Sequence, residues 1–317
     1  MTGLPFLDGT SVAAALPLDR LIEELDLAFR DLGPVPPRAH IGLDRQAGVT
    51  DLLMMPAWKE DHLAVKLVTL GGGDGSMAAP TINGVVVLFD LETGRPMAML
   101  DAGELTARRT AAASALASRY LSCSESSRLV LIGTGRLAPF LVEAHCLVRP
   151  VEQIVIIGRD EVKAGEVVKR LPARLAALAS TRLWDRLDEE VAAADIVSTA
   201  TSAKVPFIKS EVVRPGSHLD LVGSYRPSMR EVDSQTVQQA SVFVDTRSGA
   251  LSEAGDLIAP IEEGLFDESR ILADLAELCS GRHPGRQFAD EVTLFKSVGT
   301  AIEDLVAASL ALEHCTV

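Results

Sequence analysis

The chain has 317 residues, of which 47% are hydrophobic, enough for a sizeable core in two domains or one large one. A net charge of −14, with only two Trp and two Tyr, argues against a nucleic-acid partner, which needs a basic face and stacking platforms. No stretch reaches the run of about 20 apolar residues required by a membrane helix, and "MTGLPFLDG" lacks the regions of a secretory signal.

The four cysteines (Cys123, Cys146, Cys279, Cys315) and six histidines are scattered without metal-ligand spacing. A cytoplasmic protein with reduced thiols and no metal site is therefore expected.

In chain order, residues 10–31 carry apolar positions at helical spacing and predict one surface helix. A Pro-rich connector, "LGPVPPRAHIG", follows. "DLLMMPAW", "LAVKLVTL" and "INGVVVLFDLETGRPMAMLDAG" read as β segments, with a Gly-rich "GGGDGS" loop between the second and third and a hairpin turn at "ETGRP". Asp101, with Glu104, is placed to cap the helix "ELTARRTAAASALASRYL".

That helix, built mostly from alanine, carries two adjacent arginines. Neighbouring helical residues point about 100° apart, so Arg108 and Arg109 face different surroundings. Glu104 lies four residues before Arg108, in the favourable order for an ion pair. Arg109 has only Leu105, Ala112 and Ala113 on its face, and a guanidinium cannot deprotonate to escape burial. It needs an anion from elsewhere: an acid of another segment, or a ligand.

After Ser122 the pattern changes. Apolar runs ("SRLVLIG", "VEQIVIIG", "ADIVSTATS", "GSHLDLVGS", "ASVFVDTR") alternate with helical segments, which predicts a parallel doubly wound sheet. The last helix, "SVGTAIEDLVAASLAL", lies beyond that unit and is expected to return to the first domain.

The first of these runs ends in Gly133-Thr134-Gly135-Arg136-Leu137-Ala138, a GxGxxA loop between a strand and a helix. The first glycine permits the tight turn, the second allows a pyrophosphate to approach the backbone, and the alanine allows close helix–strand packing. A dinucleotide site follows. The second run ends in Gly158-Arg159-Asp160, with Lys163 one turn on. Glycine where an acid would grip the ribose hydroxyls, with arginine directly after it, favours a 2′-phosphate; NADP(H) is the preferred cofactor. NAD(H) stays possible through Asp160.

These segments, together with "PGSHLDLVGSYRPSMREVD", "VFVDTRSGALSEAGDL" and "TLFKSVGTAIEDL", resemble the ornithine cyclodeaminase/μ-crystallin family over most of the chain. The resemblance implies an α/β protein. Its Rossmann-type doubly wound parallel sheet spans residues 119–294, and residues 1–118 and 295–317 form a discontinuous α+β substrate-binding and dimerisation domain. It further implies a homodimer acting on small amino or imino acids with NAD(P). By resemblance, Arg109 and Arg38 hold the substrate carboxylate and Lys66 stands beside the reacting carbon. Thr199, Val222, Gly223, Ser224 and Ser297 flank the nicotinamide or ribose by the same carry-over, and His218 matches a family position that reads as structural.

One departure bears on the subclass. Cyclodeaminases and alanine dehydrogenases of the family carry an acid two residues after the glycine of "VG", where this chain has Tyr225. A phenol with an ordinary pKa near 10 cannot serve as a carboxylate base at neutral pH. The expected activity is NAD(P)H-dependent reduction of a cyclic imino acid, Δ1-pyrroline-2-carboxylate or Δ1-piperideine-2-carboxylate, to L-proline or L-pipecolate. The alternatives are a cyclodeaminase or alanine-type dehydrogenase of the same family, or a non-catalytic NADP-binding, crystallin-like protein.

Overall fold

A computed structural model describes residues 3–33, 35–43, 48–72 and 82–315. In chain order its strands and helices begin with β1 (Phe6–Leu7), α1 (Gly9–Ala15), α2 (Leu18–Arg30), β2 (Ala39–Gly42), β3 (Gly48–Lys59), β4 (His62–Gly72), β5 (Ile82–Asp90), β6 (Pro96–Asp101) and α3 (Ala102–Leu121). Next come β7 (Arg128–Ile132), α4 (Ala138–Val148), β8 (Gln153–Gly158), α5 (Glu161–Lys169), α6 (Ala173–Ala176), β9 (Ala179–Leu183), α7 (Leu187–Ala193), β10 (Ile196–Thr199) and β11 (His218–Leu221). The chain closes with α8 (Ser234–Gln239), β12 (Ser241–Val244), α9 (Arg247–Glu253), α10 (Gly255–Glu262), β13 (Ile271–Asp274), α11 (Leu275–Cys279), β14 (Thr293–Lys296) and α12 (Ala301–Cys315). Two compact units result: Met1–Ala28, Leu32–Arg109 and Thr300–Val317 form the first, Phe29–Asp31 and Thr110–Gly299 the second.

The first unit is built on a six-stranded sheet ordered β1-β6-β5-β4-β3-β2, antiparallel except for the β1–β6 pair. The period-2 alternation of its strands sorts side chains between two faces. Ala64, Lys66, Val68 and Leu70 of β4 are buried with Val86 and Leu88 of β5, and α12 packs on β3, β4 and β5. Leu63, Val65 and Leu67, on the opposite face, are only half-buried.

The turn at "ETGRP" joins β5 to β6 as expected. The Asp90 carboxylate accepts from the N–H and hydroxyl of Thr93, and Gly94 takes φ +69°, a conformation glycine adopts at little cost. Asp101 caps α3 by accepting the Glu104 N–H at 2.7 Å.

The single helix expected over residues 10–31 is two helices. The break falls at Leu16-Pro17: Pro17 has no N–H to continue α1, while its carbonyl accepts from Leu21 N and so opens α2. Both are amphipathic, as the spacing predicts: in α2, Leu21, Ile22 and Leu25 are buried while Asp19, Arg20, Glu23 and Arg30 are exposed. Of the "GGGDGS" loop, Gly71 and Gly72 close β4 and residues 73–76 lie outside the described residues.

The second unit is a wholly parallel eight-stranded sheet ordered β13-β12-β14-β11-β10-β7-β8-β9. Its central strands are buried along their length, because helices cover both faces and no polar alternation is needed. The strand order reverses at β7, between β8 and β10. That switch point is where a doubly wound sheet opens a crevice at the carboxyl ends of its strands. No helix among the described residues is long and apolar enough to cross a membrane.

Candidate active site

In the first unit, Lys66 lies on the covered face of β4 and is almost wholly buried. Its Nζ is 2.8 Å from the Asp304 carboxylate. The same carboxylate accepts from Arg109 Nε at 3.0 Å, while Arg109 Nη1 donates to Glu303 Oε2 at 2.6 Å. Of the two alternatives for Arg109, the structure supplies the acid of another segment: both partners sit in the first turn of α12. The positive end of a helix favours carboxylates there, so α12 presents two adjacent acids to two buried cations.

Burial pushes the Lys66 ammonium down to about 8, helped by the positive charges of Arg109 and Arg38 and opposed by Asp304. Arg38, half-buried just before β2, is close enough for its charge to act on Lys66. Lys66, Arg109 and Arg38 therefore share one electrostatic neighbourhood. Arg108 is separate from it: its Nε donates to Glu104 at 2.9 Å and its Nη1 to the Leu16 carbonyl at 3.0 Å.

In the second unit, the loop Gly133–Ala138 leaves β7 at the switch point. Gly133 has φ +129°, and a Cβ there would meet the Ala200 carbonyl at 2.6 Å, so only glycine fits. Around Gly135 nothing lies within 4 Å of the place a Cβ would take, which leaves its backbone open to a ligand. Thr134 packs beside Gly158, Arg136 is exposed, and Ala138 is buried at the start of α4. Leu137, the N-cap of α4, makes no side-chain cap hydrogen bond, and Pro139 in the first turn has no N–H to satisfy. A tight glycine turn, an open backbone and an uncapped helix start fit a pyrophosphate.

At the end of β8, a Cβ on Gly158 would meet Thr134 Cγ2 at 2.7 Å, so a side chain at the position an acid would occupy requires Thr134 to move. Asp160 caps α5, accepting from Val162 N at 2.9 Å and Lys163 N at 3.2 Å. Arg159 and Lys163 are exposed beside it.

The remaining residues carried over by resemblance lie at the carboxyl ends of β10, β11 and β14, with their polar atoms turned inward. The Thr199 hydroxyl donates to Glu231 at 2.7 Å, and the Val222 N–H to the Thr199 carbonyl at 2.9 Å. Gly223 N donates to Glu231 at 2.8 Å, and the Ser224 hydroxyl to the Met229 carbonyl at 2.6 Å. Ser297 N donates to the Leu221 carbonyl at 3.3 Å, and the next two N–H groups, of Val298 and Gly299, are taken by Asp245. His218 is inside the sheet, its Nδ1 2.9 Å from Thr293 Oγ1, and burial pushes it down to about 3, as suits a structural histidine. Tyr225 is exposed, with the Arg226 guanidinium 5.8 Å from its ring centroid.

Sequence reasoning missed the acids that organise both clusters: Glu303 and Asp304 in the first unit, Glu231, Asp245 and Asp256 in the second. The available signal was charge inside apolar surroundings, as in "TAIEDLVAA", because a carboxylate in such a run is rarely buried unless paired. Burial raises the Glu231 carboxyl, with Asp256 adding to the effect and Lys296 opposing it. No group of three or more metal-binding side chains is found among the described residues.

Three comparisons with known proteins bear on this arrangement. A family model, that of the Ornithine cyclodeaminase/mu-crystallin family, matches residues 6–316. The Δ1-pyrroline-2-carboxylate reductase of Colwellia psychrerythraea is 39% identical over 261 residues, covering 82% of each chain. The solved structure of Thermococcus litoralis Δ1-pyrroline-2-carboxylate reductase with NADH and L-proline superposes with a TM-score of 0.92 at 34% identity, over 99% of this chain and 98% of that one. An archaeal alanine dehydrogenase dimer with bound NAD superposes with a TM-score of 0.88 at 27% identity, over 99% and 96%.

Proposed function

The chain belongs to the ornithine cyclodeaminase/mu-crystallin family, and from that premise we propose that it is an oxidoreductase that reduces the C=N bond of a small cyclic imino acid, Δ1-pyrroline-2-carboxylate or its six-membered homologue, to the L-amino acid. The observation that carries this reading is the buried Lys66, held to Asp304 and bordered by Arg109 and Arg38.

Arg109 and Arg38 bind the substrate carboxylate, the planar guanidinium gripping it through paired N–H donors. Asp304 and Glu303 hold the Arg109 fork in one orientation, so little side-chain freedom is lost when substrate arrives. Lys66 gives a proton from Nζ to the imine nitrogen, which places positive charge on the C=N group and makes C2 electrophilic. With its pKa near 8, Lys66 is protonated at neutral pH yet a far stronger acid than an ordinary lysine. When bound, the reduced nicotinamide supplies the hydride that completes the reduction. The pyrroline ring becomes the secondary amine of the product, with the hydride on C2 and the proton of Lys66 on nitrogen.

Gly133–Ala138 and the start of α4 hold the pyrophosphate, and Arg159, with Lys163, receives the 2′-phosphate of NADPH. The lack of an acid at Gly158 and the engagement of Asp160 in the α5 cap support NADPH as the preferred partner, with NADH accepted. The half-buried apolar face of the first sheet, including Leu63, Val65, Val87, Phe89, Met97 and Met99, supports a homodimer in which a second copy covers it. The protein works in the cytoplasm. Tyr225, in the place of a carboxylate base, sets the chain apart from cyclodeaminases.

A panel of Δ1-pyrroline-2-carboxylate, Δ1-piperideine-2-carboxylate, pyruvate with ammonia, and ornithine, followed at 340 nm with NADPH, NADH or their oxidised forms, tests this reading. Consumption of a cyclic imine supports it. Turnover confined to ornithine or pyruvate, or no turnover at all, removes it.

A further inference from the structure

The loops at the carboxyl ends of β10 and β11 are tied together by one side chain. Glu231 Oε2 accepts from the Thr199 hydroxyl at 2.7 Å and from Gly223 N at 2.8 Å, while Oε1 accepts from Thr201 N and the Thr201 hydroxyl, both at 2.8 Å. The carboxylate thus spans both loops with four hydrogen bonds, and Glu231 is wholly buried. A Cβ on Gly223 would collide with Glu231 Oε1 and with the Thr201 backbone, so this glycine is needed for the clamp to close.

The clamp is itself anchored. Asp256 Oδ1 accepts the N–H groups of Glu231 at 2.7 Å and Val232 at 3.2 Å. Lys296 Nζ lies 3.5 Å from the other oxygen of Asp256 and donates to the Leu221 carbonyl, the last residue of β11, at 3.0 Å. Such a network is costly to bury and holds its members in one arrangement; Asp256 Oδ2 is the one oxygen of the anchor held by charge alone, without a hydrogen bond.

Its position gives it a use. β10 is the neighbour of β7 on the side of the switch point away from β8, and β11 is next beyond it. A dinucleotide whose pyrophosphate rests at the end of β7 extends across that crevice. If one nucleoside lies over β8, the other end of the ligand lies over the loops after β10 and β11.

We propose that Glu231 is a positioning residue for the cofactor, setting the spacing of these two loops and hence the surface on which the nicotinamide end rests. The inference rests on the oxidoreductase reading above. Glu231 touches no reacting atom; it acts through Thr199, Thr201 and Gly223.

The test uses Glu231→Gln in the full-length protein, with Thr199→Val/Thr201→Val as the second variant should the first fail to fold. Glutamine keeps the size but replaces one acceptor oxygen with a donor, so the clamp cannot close on both loops. The readouts are the NADH dissociation constant, kcat and KM for the imino acid, and the isotope effect with NADH deuterated at the transferred position. The expected result is a fall in kcat of about tenfold or more, with a larger isotope effect and a KM for the imino acid within about threefold of wild type.

A folded variant with unchanged kcat and isotope effect overturns the inference. So does a lower kcat that follows only the loss of folded protein, with the isotope effect unmoved. Wild type is the control: if it neither binds NADH nor reduces the imino acid, the functional reading falls, whereas an active wild type beside an indistinguishable variant removes only the role of Glu231.

Discussion

Asp304 of α12 and Lys66 of β4, 238 positions apart in the sequence, meet at 2.8 Å in the interior of the first unit. The same carboxylate holds Arg109, so one acid of α12 fixes both side chains, the proposed proton donor and the proposed carboxylate clamp. The first-turn place of Asp304 on α12 suits a carboxylate, and its charge opposes the burial that brings the Lys66 ammonium down to about 8.

A pH dependence follows. If protonated Lys66 is the acid, kcat for imine reduction falls as pH rises through about 8, because burial has brought its pKa down from the ordinary lysine range. Asp304 opposes that shift, so Asp304→Asn moves the alkaline limb to lower pH. It also costs about 3–5 kcal/mol of stability, the range for breaking a buried ion pair. Lys66→Arg, which does not titrate in this range, loses the limb along with most of the rate. A limb that stays in place in Asp304→Asn would detach Asp304 from the proton donor.

The paired arginines of α3 make a second test. Arg109→Lys keeps a cation against Glu303 and Asp304 but cannot reproduce the two-pronged grip on a carboxylate, and kcat/KM should fall by about 2–4 kcal/mol in barrier terms, mainly through KM. Arg109→Ala should in addition destabilise the fold, since it strands two buried acids. Arg108→Ala, which loses a half-buried pair with Glu104 and a bond to the Leu16 carbonyl, should cost about 1 kcal/mol of stability and leave steady-state kinetics nearly intact. Steady-state kinetics and urea unfolding on the three variants decide it; a silent Arg109→Lys beside a kinetically damaged Arg108→Ala would reverse the assignment.

The proposed preference for NADPH is tested at Arg159. Fluorescence titration of Arg159→Ala should show weaker NADPH binding by about tenfold, with NADH within about twofold, the pattern for a lost charge-assisted contact to the 2′-phosphate. Equal losses for both cofactors would take Arg159 out of 2′-phosphate recognition.

How much of this was legible in the sequence depended on whether the signal was local. The glycine loop, the alternating strands and helices and the cap at Asp101 are set by residues within a few positions of one another, and each appears where its residue types predict. Lys66 was visible as a charge inside an apolar strand. The two helices of residues 9–30 were read as one because apolar periodicity outweighed Pro17, although the missing N–H ends α1 there.

The partners of Arg109 were illegible for a different reason. Its face of α3 showed that an anion was needed, but Glu303 and Asp304 lie 194 and 195 positions away, and only the fold brings α12 onto the sheet. Glu231 was hidden in the same way. Its hydrogen bonds to Thr199 and Gly223 consume polar groups that had been assigned to the cofactor by resemblance alone.

The central claim, reduction at C2 of a cyclic imino acid, is tested most directly by following the label. Δ1-pyrroline-2-carboxylate is incubated with the wild-type protein and NADH or NADPH deuterated at the transferred position, and the product is examined by chiral separation and mass spectrometry. The account predicts L-proline carrying one deuterium, located at C2, with none entering that carbon from D2O when unlabelled cofactor is used. Proline without cofactor-derived deuterium at C2, or no proline at all while the protein binds the cofactor, would contradict it.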